Sequence, residues 1–248
     1  MELHVFGVRG LPEVARDADV AALIAGAVDR ARLAVEPGDV FVVAQKIVSK
    51  AEGAVVRLDD VAPSRMATQW AEENGKDARI VEVVLRESRR IVRMDHGVLI
   101  AETRHGFVCA NAGVDASNVP PGFVTVLPVD PDASAERIRA SLSATFGCPV
   151  AVIVSDTFGR AWREGVVNVA IGVAGFQPLL DYRGTTDAYG RPLTSTVIAV
   201  ADELASAAEL VMRKTACTPV AIVRGAGDWL GEGSGRLLVR DPNRDLFR

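Results

Sequence analysis

Residues 150–165 read VAVIVSDTFGRAWREG, and this is the most informative stretch of the sequence for fold and function. The apolar, mostly β-branched run at 150–154 predicts a buried strand that ends in a Ser-Asp-Thr triplet around Asp156. Arg160 and Arg163 follow closely. Hard oxygen ligands beside guanidinium groups suit a divalent cation and the phosphates or carboxylates that it bridges. An ordinary turn, in which the aspartate caps the next segment, is the alternative.

Residues 104–118 read RHGFVCANAGVDASN and again pass from a short apolar strand into a loop of small residues. Glycine allows the close backbone approach that a ligand-wrapping loop needs. Asp115 and Asp156 are each expected just after a strand, on adjacent strands, with no neighbouring lysine to neutralise either carboxylate. Such a pair could hold one Mg²⁺ or Mn²⁺, with water and phosphate oxygens completing the coordination.

The composition of the chain limits the classes of function. The 248 residues carry a net charge of −4, with 49% hydrophobic and 24% charged residues, which is typical of a globular protein without a basic surface for nucleic acid. No apolar run reaches membrane-spanning length, and the N-terminus lacks a signal-peptide pattern. Three scattered cysteines indicate neither disulfides nor a zinc site. We expect a soluble cytoplasmic protein with one domain over residues 1–248, no nucleic-acid partner and no membrane association.

Hydrophobic periodicity and turn residues predict strands and helices that mix without strict alternation. Strands are expected at residues 3–8, 40–44, 80–84, 91–94, 98–102, 106–110, 124–128, 150–154, 166–173, 196–201 and 219–223. Helices are expected at residues 20–33, 64–74, 135–146 (after a Ser134 N-cap) and 201–214. This pattern predicts an α+β fold with mixed β-sheets and flanking helices.

Three further stretches carry side chains suited to chemistry. Lys46 and Lys50 are four residues apart, so a helical turn would present both ammonium groups on one face, either to phosphates or simply to solvent. Residues 181–191 form a polar, glycine-punctuated loop with both tyrosines, which suits an aromatic or phosphorylated substrate, a hairpin or an interface arm. Glu209 lies on an alanine- and leucine-rich helix face, where the pattern alone favours a solvated edge over a metal ligand.

Six motifs occur in an order that closely resembles the coenzyme F-420-0:γ-glutamyl ligase family, and the likeness extends from about residue 3 to residue 226. They are VRGLPE at 8–13, SKAEG at 49–53, HGFVCANAGVDASN at 105–118, SDTFGRAWREG at 155–165, DYRG at 181–184 and AAELV at 207–211. The resemblance implies GTP-dependent addition of L-glutamate to the tail of the deazaflavin F-420-0 through γ-linked amide bonds. It also implies two divalent cations per site (Mg²⁺ or Mn²⁺), a requirement for K⁺, and an intertwined homodimer of two-lobed α+β subunits.

The resemblance also assigns residues by position. The family's metal ligands fall on Asp115, Asp156, Thr157 and Glu209, the last against the preference from pattern alone. Its guanine-nucleotide contacts fall on Leu11, Pro12, Glu13, Val14, Gln45, Lys50, Asn118, Ala207, Ala208, Glu209, Leu210, Val211, Met212, Arg213 and Lys214. Lys50, Arg160 and Arg163 would stabilise charge on the transferred phosphoryl group, on the way to an acyl phosphate.

Two positions depart from the family pattern and bear on nucleotide preference. Gln45 stands where relatives often have serine or threonine, and Arg213 stands where a glycine is usual before the lysine. Some relatives continue into a flavin-binding reductase domain; this chain ends at Arg248, so that second activity is expected to be missing. Two other functions remain open: an acid–amine ligase that uses ATP and another carboxylate, and a nucleotide- or deazaflavin-binding module without turnover.

Overall fold

The computed structural model describes residues 2–246, and a five-stranded sheet lies at its centre. Within the described residues, the strands are β1 His4–Gly7, β2 Val40–Ala44, β3 Val55–Arg57, β4 Ser88–Asp95, β5 Val98–Thr103, β6 Val108–Ala110, β7 Phe123–Thr125, β8 Ala151–Arg160, β9 Arg163–Ala174, β10 Leu180–Asp181, β11 Val197–Ile198 and β12 Val220–Arg224. The α-helices are α1 Val20–Arg30, α2 Gln45–Ala51, α3 Arg65–Asn74, α4 Ala78–Glu87, α5 Pro131–Phe146 and α6 Val200–Met212.

The central sheet has the strand order β1-β12-β2-β8-β9, in which β2 and β8 are parallel and the other neighbours are antiparallel. Both strands begin with continuous apolar runs because both faces of the sheet are covered. Alternate side chains divide between the faces: Val152 and Val154 pack with α1 and α5, whereas Ala151 and Ile153 pack with α6. The sheet is therefore the middle of three layers.

Residues 55–125 contain a second group of elements with its own hydrophobic core. This group consists of the two-stranded sheet β3-β7, the three-stranded sheet β4-β5-β6 and helices α3 and α4. Its core is made of small and medium apolar side chains, among them Val81, Val84, Leu99 and Val124. The sheets and helices together confirm the α+β class, whereas a division of the subunit into two lobes stays a prediction.

Helices α4 and α5 illustrate how the structure departs from the sequence prediction. The strand expected at residues 80–84 is wrong, because these residues lie inside α4, which begins after its N-cap Asp77 and buries its valines at helical spacing. Helix α5 begins at Pro131 instead of after Ser134. The side chain of Asp130 caps it, and proline suits the first helical position because its missing N–H would have no partner there.

Strand β8 continues where the sequence predicts its end. The residues after Val154 stay extended through Asp156 to Arg160, because they pair with β9 in a long hairpin. At the register shift between Val154 and Ser155, these residues pair with Gly172 and Ala170, which leaves Ile171 of β9 as an extra residue. One extra residue on one strand of a pair is the pattern of a β-bulge. Asp156 is therefore held within a paired strand and not in a free loop.

Residues 181–191 belong to an exposed hairpin built on the short pair β10-β11, one of the alternatives that the sequence leaves open. Tyr189 at its turn is 89% exposed, and Arg183 pairs with Asp181 of the same segment. No helix in residues 2–246 is long and apolar enough to cross a membrane.

Candidate active site

A cavity of about 440 Å³ lies at the carboxyl end of β2, beside the middle of β8. The parallel pairing of these two strands stops where Ala44 pairs with Ser155, and β8 continues beyond this point to Arg160. Helix α2 begins directly after β2, and the end of α6 closes another side. The lining includes all four side chains expected to bind metal, namely Asp115, Asp156, Thr157 and Glu209.

Asp156 lies in β8 and lines the cavity with a carboxyl that is largely removed from water. Burial, supported by the nearby negative charge of Asp115, raises the pKa of this carboxyl from 3.8 to about 6. A backbone hydrogen bond from Thr157 and the positive charges of Lys214 and Lys46 act in the opposite direction. The site thus holds an incompletely compensated negative charge, which a cation would stabilise.

Asp115 lines the same cavity from a different sheet, since it follows β6 and not a neighbour of β8. Lys46 Nζ lies 2.6 Å from Asp115 Oδ2, and Ser117 N donates to Asp115 Oδ1 at 2.7 Å. Burial acts to raise the pKa of Asp115, but the hydrogen bonds from Lys46 and Ser117 outweigh it and hold the pKa below 3.8. The expectation that the two acids follow adjacent strands is wrong, because β6 and β8 belong to different sheets. The expectation of no neutralising lysine is also wrong for Asp115, because the first turn of α2 brings Lys46 to this acid.

Thr157 and Glu209 are joined through Asn168 of β9. Thr157 Oγ1 donates to Asn168 Oδ1 at 2.8 Å, and Asn168 Nδ2 donates to Glu209 Oε2 at 3.1 Å. Asn168 is only 4% exposed, so this bridge is sheltered from water. Glu209 is half-buried against β9 and lines the cavity, while its role as a metal ligand stays a prediction.

Most of the residues expected to contact the nucleotide line this cavity. They are Leu11, Pro12, Glu13, Val14, Gln45, Lys50, Asn118, Glu209, Met212, Arg213 and Lys214. The other four expected contacts, Ala207, Ala208, Leu210 and Val211, lie outside the lining. The helical period explains this, because it turns Ala208 into the core and leaves Leu210 75% exposed.

The two lysines of α2 both face the cavity, as their spacing predicts for a helix. Their side chains are mostly buried, with 14% of Lys46 and 12% of Lys50 exposed, so solvation alone does not account for them. Lys50 Nζ pairs with Glu13 Oε1 at 2.5 Å, and that glutamate side chain is itself 82% exposed. Glu13 therefore holds the Lys50 ammonium group at the cavity, and its own exposed carboxylate can turn to solvent when another anion binds.

Arg160 and Arg163 lie at the exposed tip of the β8-β9 hairpin, outside the cavity lining. Arg160 donates to the backbone carbonyl groups of Glu164 and Gly165 within the same tip. Since the structure does not bring either guanidinium to the acids of the cavity, their role in charge stabilisation stays a prediction.

Arg213 follows α6 at the rim of the cavity in a backbone conformation that favours glycine. Its φ is 52° and its ψ is 142°. A side chain at positive φ and extended ψ costs on the order of 1–3 kcal/mol. The geometry therefore gives a physical reason for glycine at this position, and the arginine here introduces strain as well as charge.

The donor groups of the cavity fit a hard divalent cation. Asp115, Asp156 and Glu209 offer carboxylate oxygens and Thr157 offers a hydroxyl. Ser155 Oγ is buried without a hydrogen-bond partner among the described residues, so the lining also holds an unsatisfied oxygen. Among residues 2–246, no three acidic, histidine or cysteine side chains gather around one point. Phosphate and water oxygens would supply the remaining ligands.

Sequence reasoning missed Asn168 and Ser117 and gave Lys46 no role beside the acids. A signal for Asn168 is present, because a lone amide in the apolar run at 166–174 has to find hydrogen-bond partners once the strand is buried. Ser117 follows Asp115 by two residues, the spacing at which an aspartate side chain accepts from the backbone. The contact of Lys46 with Asp115 spans 69 residues and has no local signal.

Fold and cavity together define an α+β protein with an acid- and lysine-lined site at the carboxyl end of β2 in a mixed sheet. Residues 9–225 match the model of the F420-0:Gamma-glutamyl ligase family. The chain is 47% identical over 251 residues to the coenzyme F420:L-glutamate ligase of Methanothermobacter thermautotrophicus, with 100% of both chains covered. It is 50% identical over 235 residues to that of Methanopyrus kandleri (93% and 91% covered) and 45% identical over 219 residues to that of Methanocaldococcus jannaschii (88% of each). The chain therefore belongs to the F420-0:gamma-glutamyl ligase family and is an enzyme of the ligase class.

Proposed function

We propose that this chain catalyses the GTP-dependent addition of L-glutamate to coenzyme F-420-0, through γ-linked amide bonds, in coenzyme F-420 biosynthesis. The observation that carries the proposal is a single cavity lined by four oxygen-bearing candidate ligands and the two lysines of α2. The relatives named above are coenzyme F420:L-glutamate ligases matched over most of the chain, which supports the choice of acceptor and amino acid. GTP, two Mg²⁺ or Mn²⁺ ions and K⁺ are proposed from the family resemblance and the donor chemistry.

The reaction has to activate a carboxylate, since oxide is a poor leaving group. In the proposed sequence, the terminal carboxylate oxygen of F-420-0 attacks the γ-phosphorus of GTP, which forms an acyl phosphate and releases GDP. The glutamate amine then attacks the acyl carbon, the bond from that carbon to the phosphate oxygen breaks, and the amine loses a proton. Divalent cations, when bound, would neutralise phosphate charge and keep the reacting oxygens in line.

Side chains of the cavity would bind the cations and stabilise the charge on the transferred phosphoryl group. Asp115, Asp156, Thr157 and Glu209 would hold the cations through their oxygens. Lys50 would stabilise negative charge on the transferred phosphoryl group, because its ammonium is already held at the cavity. Arg160 and Arg163 would contribute in the same way only where ligand binding or a partner subunit brings the hairpin tip to a site.

We also propose that the chain acts in the cytoplasm as an intertwined homodimer of two-lobed subunits. Exposed apolar side chains at the β8-β9 tip support an interface there, since Trp162 is 80% exposed and Val166 is 63% exposed. The hairpin arm that carries Tyr189 is a second protruding element suited to the same role.

The test is incubation of the purified protein with F-420-0, GTP, Mn²⁺, K⁺ and glutamate, followed by mass spectrometry of the deazaflavin. We expect a gain of one or more glutamyl units, one GDP and one phosphate for each amide bond, and no product without the divalent cation. Deazaflavin that is retained by the protein without a mass change would replace the ligase with a binding module. Glutamylation of another carboxylate, or a preference for ATP, would replace it with a different acid–amine ligase.

A further inference from the structure

Asn168 is fixed by its neighbours in both β8 and α6. It stands directly opposite Thr157 in the antiparallel pairing of β8 with β9, so the two side chains share one face of the sheet. On that face α6 presents Asp202, Ser206 and Glu209, at the spacing of one helical face. Ser206 Oγ donates to Asn168 O at 2.8 Å, and Asp202 Oδ1 accepts at 2.8 Å from the backbone N–H two residues further along β9. These bonds fasten α6 to β9 and bring Glu209 to the amide.

The hydrogen-bonding capacity of the side chains settles which way this amide points. A carboxylate can only accept, so the NH₂ group of Asn168 faces Glu209 Oε2, 3.1 Å away. The amide oxygen then faces Thr157 Oγ1 and accepts its proton at 2.8 Å. The reverse orientation would place two acceptors against each other beside Glu209, which is unfavourable where water is largely excluded.

The hydrogen bonds of Asn168 orient the oxygens of Thr157 and Glu209 so that they can bind a cation. Because the only proton of the Thr157 hydroxyl is committed to Asn168, that hydroxyl can offer only lone pairs to anything else. Because Glu209 Oε2 accepts from the amide, the carboxylate is held in place and its remaining lone pairs can face the cavity. We infer that Asn168 is a positioning residue that orients Thr157 and Glu209 as ligands of one divalent cation; the identity of that ligand pair rests on the proposed function.

The bridge serves only part of the cavity. Asn168 makes no hydrogen bond to Asp115 or Asp156 among the described residues, and Lys46 and Ser117 hold Asp115 independently. Loss of the amide should therefore weaken one of two bound cations and leave the other unchanged. Removal of a hydrogen bond behind a metal ligand typically lowers metal affinity by about 10- to 100-fold.

The experiment is a Mn²⁺ titration of the whole protein, followed by electron paramagnetic resonance with GDP present and no turnover. Asn168→Leu keeps the side-chain volume and removes both hydrogen bonds. Asn74→Leu is the matched control, because it makes the same substitution at a half-buried asparagine of α3 that donates to Trp70 O at 2.9 Å, outside the cavity lining. Thermal unfolding with a chelator reports the stability of each variant without metal.

We expect one of two Mn²⁺ ions to bind about 10- to 100-fold more weakly in Asn168→Leu and neither to change in Asn74→Leu. In turnover assays, excess Mn²⁺ should restore kcat of Asn168→Leu, while its KM for glutamate stays at the wild-type value. A merely structural role would lower the unfolding temperature of both variants without this selective loss of Mn²⁺. If Asn168→Leu does not fold, Asn168→Ala removes the same two hydrogen bonds with a smaller side chain and should show the same loss.

The possible results separate this inference from the function on which it rests. Wild-type Mn²⁺ affinity in a folded Asn168 variant overturns the positioning role, and the ligase proposal stands if the wild type still adds glutamate. Weakened Mn²⁺ binding in the variant, with no glutamate added by the wild type, supports the positioning role and overturns the ligase proposal. A wild-type protein that binds no Mn²⁺ overturns the cation site and the positioning role together.

Discussion

Asp115 and Asp156 line one cavity with the same chemical group in opposite surroundings. Asp115 accepts hydrogen bonds from Lys46 and Ser117, and its pKa lies below the ordinary value. Asp156 accepts a backbone hydrogen bond from Thr157, but burial outweighs this bond and raises the pKa of the carboxyl to about 6. The chain therefore neutralises one half of the cavity by itself and leaves a negative charge in the other half for a ligand to neutralise.

The backbone explains this difference between the two acids. Asp115 lies in a loop that Lys46 reaches from the first turn of α2, whereas Asp156 lies in a paired strand beyond a bulge. A cation entering between them competes with a side-chain hydrogen bond from Lys46 at Asp115, whereas at Asp156 no side chain of the described residues donates a hydrogen bond. We therefore expect cation binding to displace Lys46, whose ammonium then becomes available to a phosphate group.

Asp156→Asn should produce the largest effect of the changes that test this comparison. The amide keeps the shape of the side chain and removes the charge that would hold a cation. We expect kcat to fall on the order of 10³-fold or more, which corresponds to about 4 kcal/mol of activation free energy. Asp115→Asn should lose less, because Lys46 already balances that acid. Initial rates of glutamylation at saturating Mn²⁺ measure both losses; near-normal turnover by folded Asp156→Asn would remove the assignment.

The pH dependence of stability should reveal the same contrast in the metal-free protein. The folded pKa of Asp156 is about 6 against an ordinary 3.8, so its charge destabilises the fold above about pH 6. This destabilisation, at most about 3 kcal/mol, disappears as the pH falls from about 6 towards 3.8. Asp115 acts oppositely, because its lowered pKa contributes stability above pH 3.8 that is lost as the pH falls through its folded pKa.

Urea unfolding with a chelator, at pH 7 and at pH 4, measures this effect in wild type and in Asp156→Asn. The variant should be more stable than wild type at pH 7, and the difference should shrink towards zero at pH 4. A difference that does not change between the two pH values would show that burial of the Asp156 charge is not its cause.

Lys46→Met should expose the dependence of Asp115 on its lysine. Without the ammonium, a partly buried carboxylate keeps only the bonds from Ser117, and we expect the metal-free protein to lose about 1–3 kcal/mol of unfolding free energy at pH 7. Lys50→Met is the matched control. Its partner Glu13 is 82% exposed, so this substitution should lower the free energy of unfolding by less than about 1 kcal/mol. Calorimetry with and without Mn²⁺ should show a larger stabilisation by the cation in Lys46→Met than in wild type. Equal losses in the two variants would contradict the distinction.

Arg213→Gly should have the smallest effect, because it changes the rim and neither acid. The substitution relieves a positive φ of 52° and should stabilise the protein by about 1 kcal/mol. It should also lower KM for the nucleotide. The loss of activity caused by Asp156→Asn should be the same with and without Arg213→Gly. Thermal unfolding and nucleotide saturation curves check both expectations; a loss of stability would mean that the arginine side chain makes a contact that outweighs the backbone strain.

The sequence predicts the core of the fold because burial leaves a local pattern. The apolar run at 40–44 and the capped amphipathic helix at 64–74 are found where they are expected, since their signals lie within a few neighbouring residues. The segment at 80–84 is misjudged, because a short apolar run suits a strand as well as a helix and only its packing decides. The extension of β8 past Val154 depends on its pairing with β9, which no single segment reveals.

The residues of the site can likewise be predicted where the signal is local, whereas the contacts between distant segments cannot. The Asp-Thr pair at 156–157 and Glu209 are found through motifs, and the structure brings them to one cavity. The bond from Lys46 to Asp115 and the bridge through Asn168 join segments that are 69 and 41 residues apart. These contacts exist only once the sheets and α6 are assembled, so the electrostatic contrast between the two acids could not be predicted from the sequence.

The most direct measurement is anomalous diffraction at the manganese edge, from a crystal grown with Mn²⁺ and GDP. We expect manganese peaks within about 2–2.5 Å of oxygens of the proposed ligands, including Asp156 and Asp115, with Lys46 Nζ moved away from Asp115. Manganese bound elsewhere, or a cavity in which Lys46 still pairs with Asp115 and no metal contacts Asp156, would contradict the account.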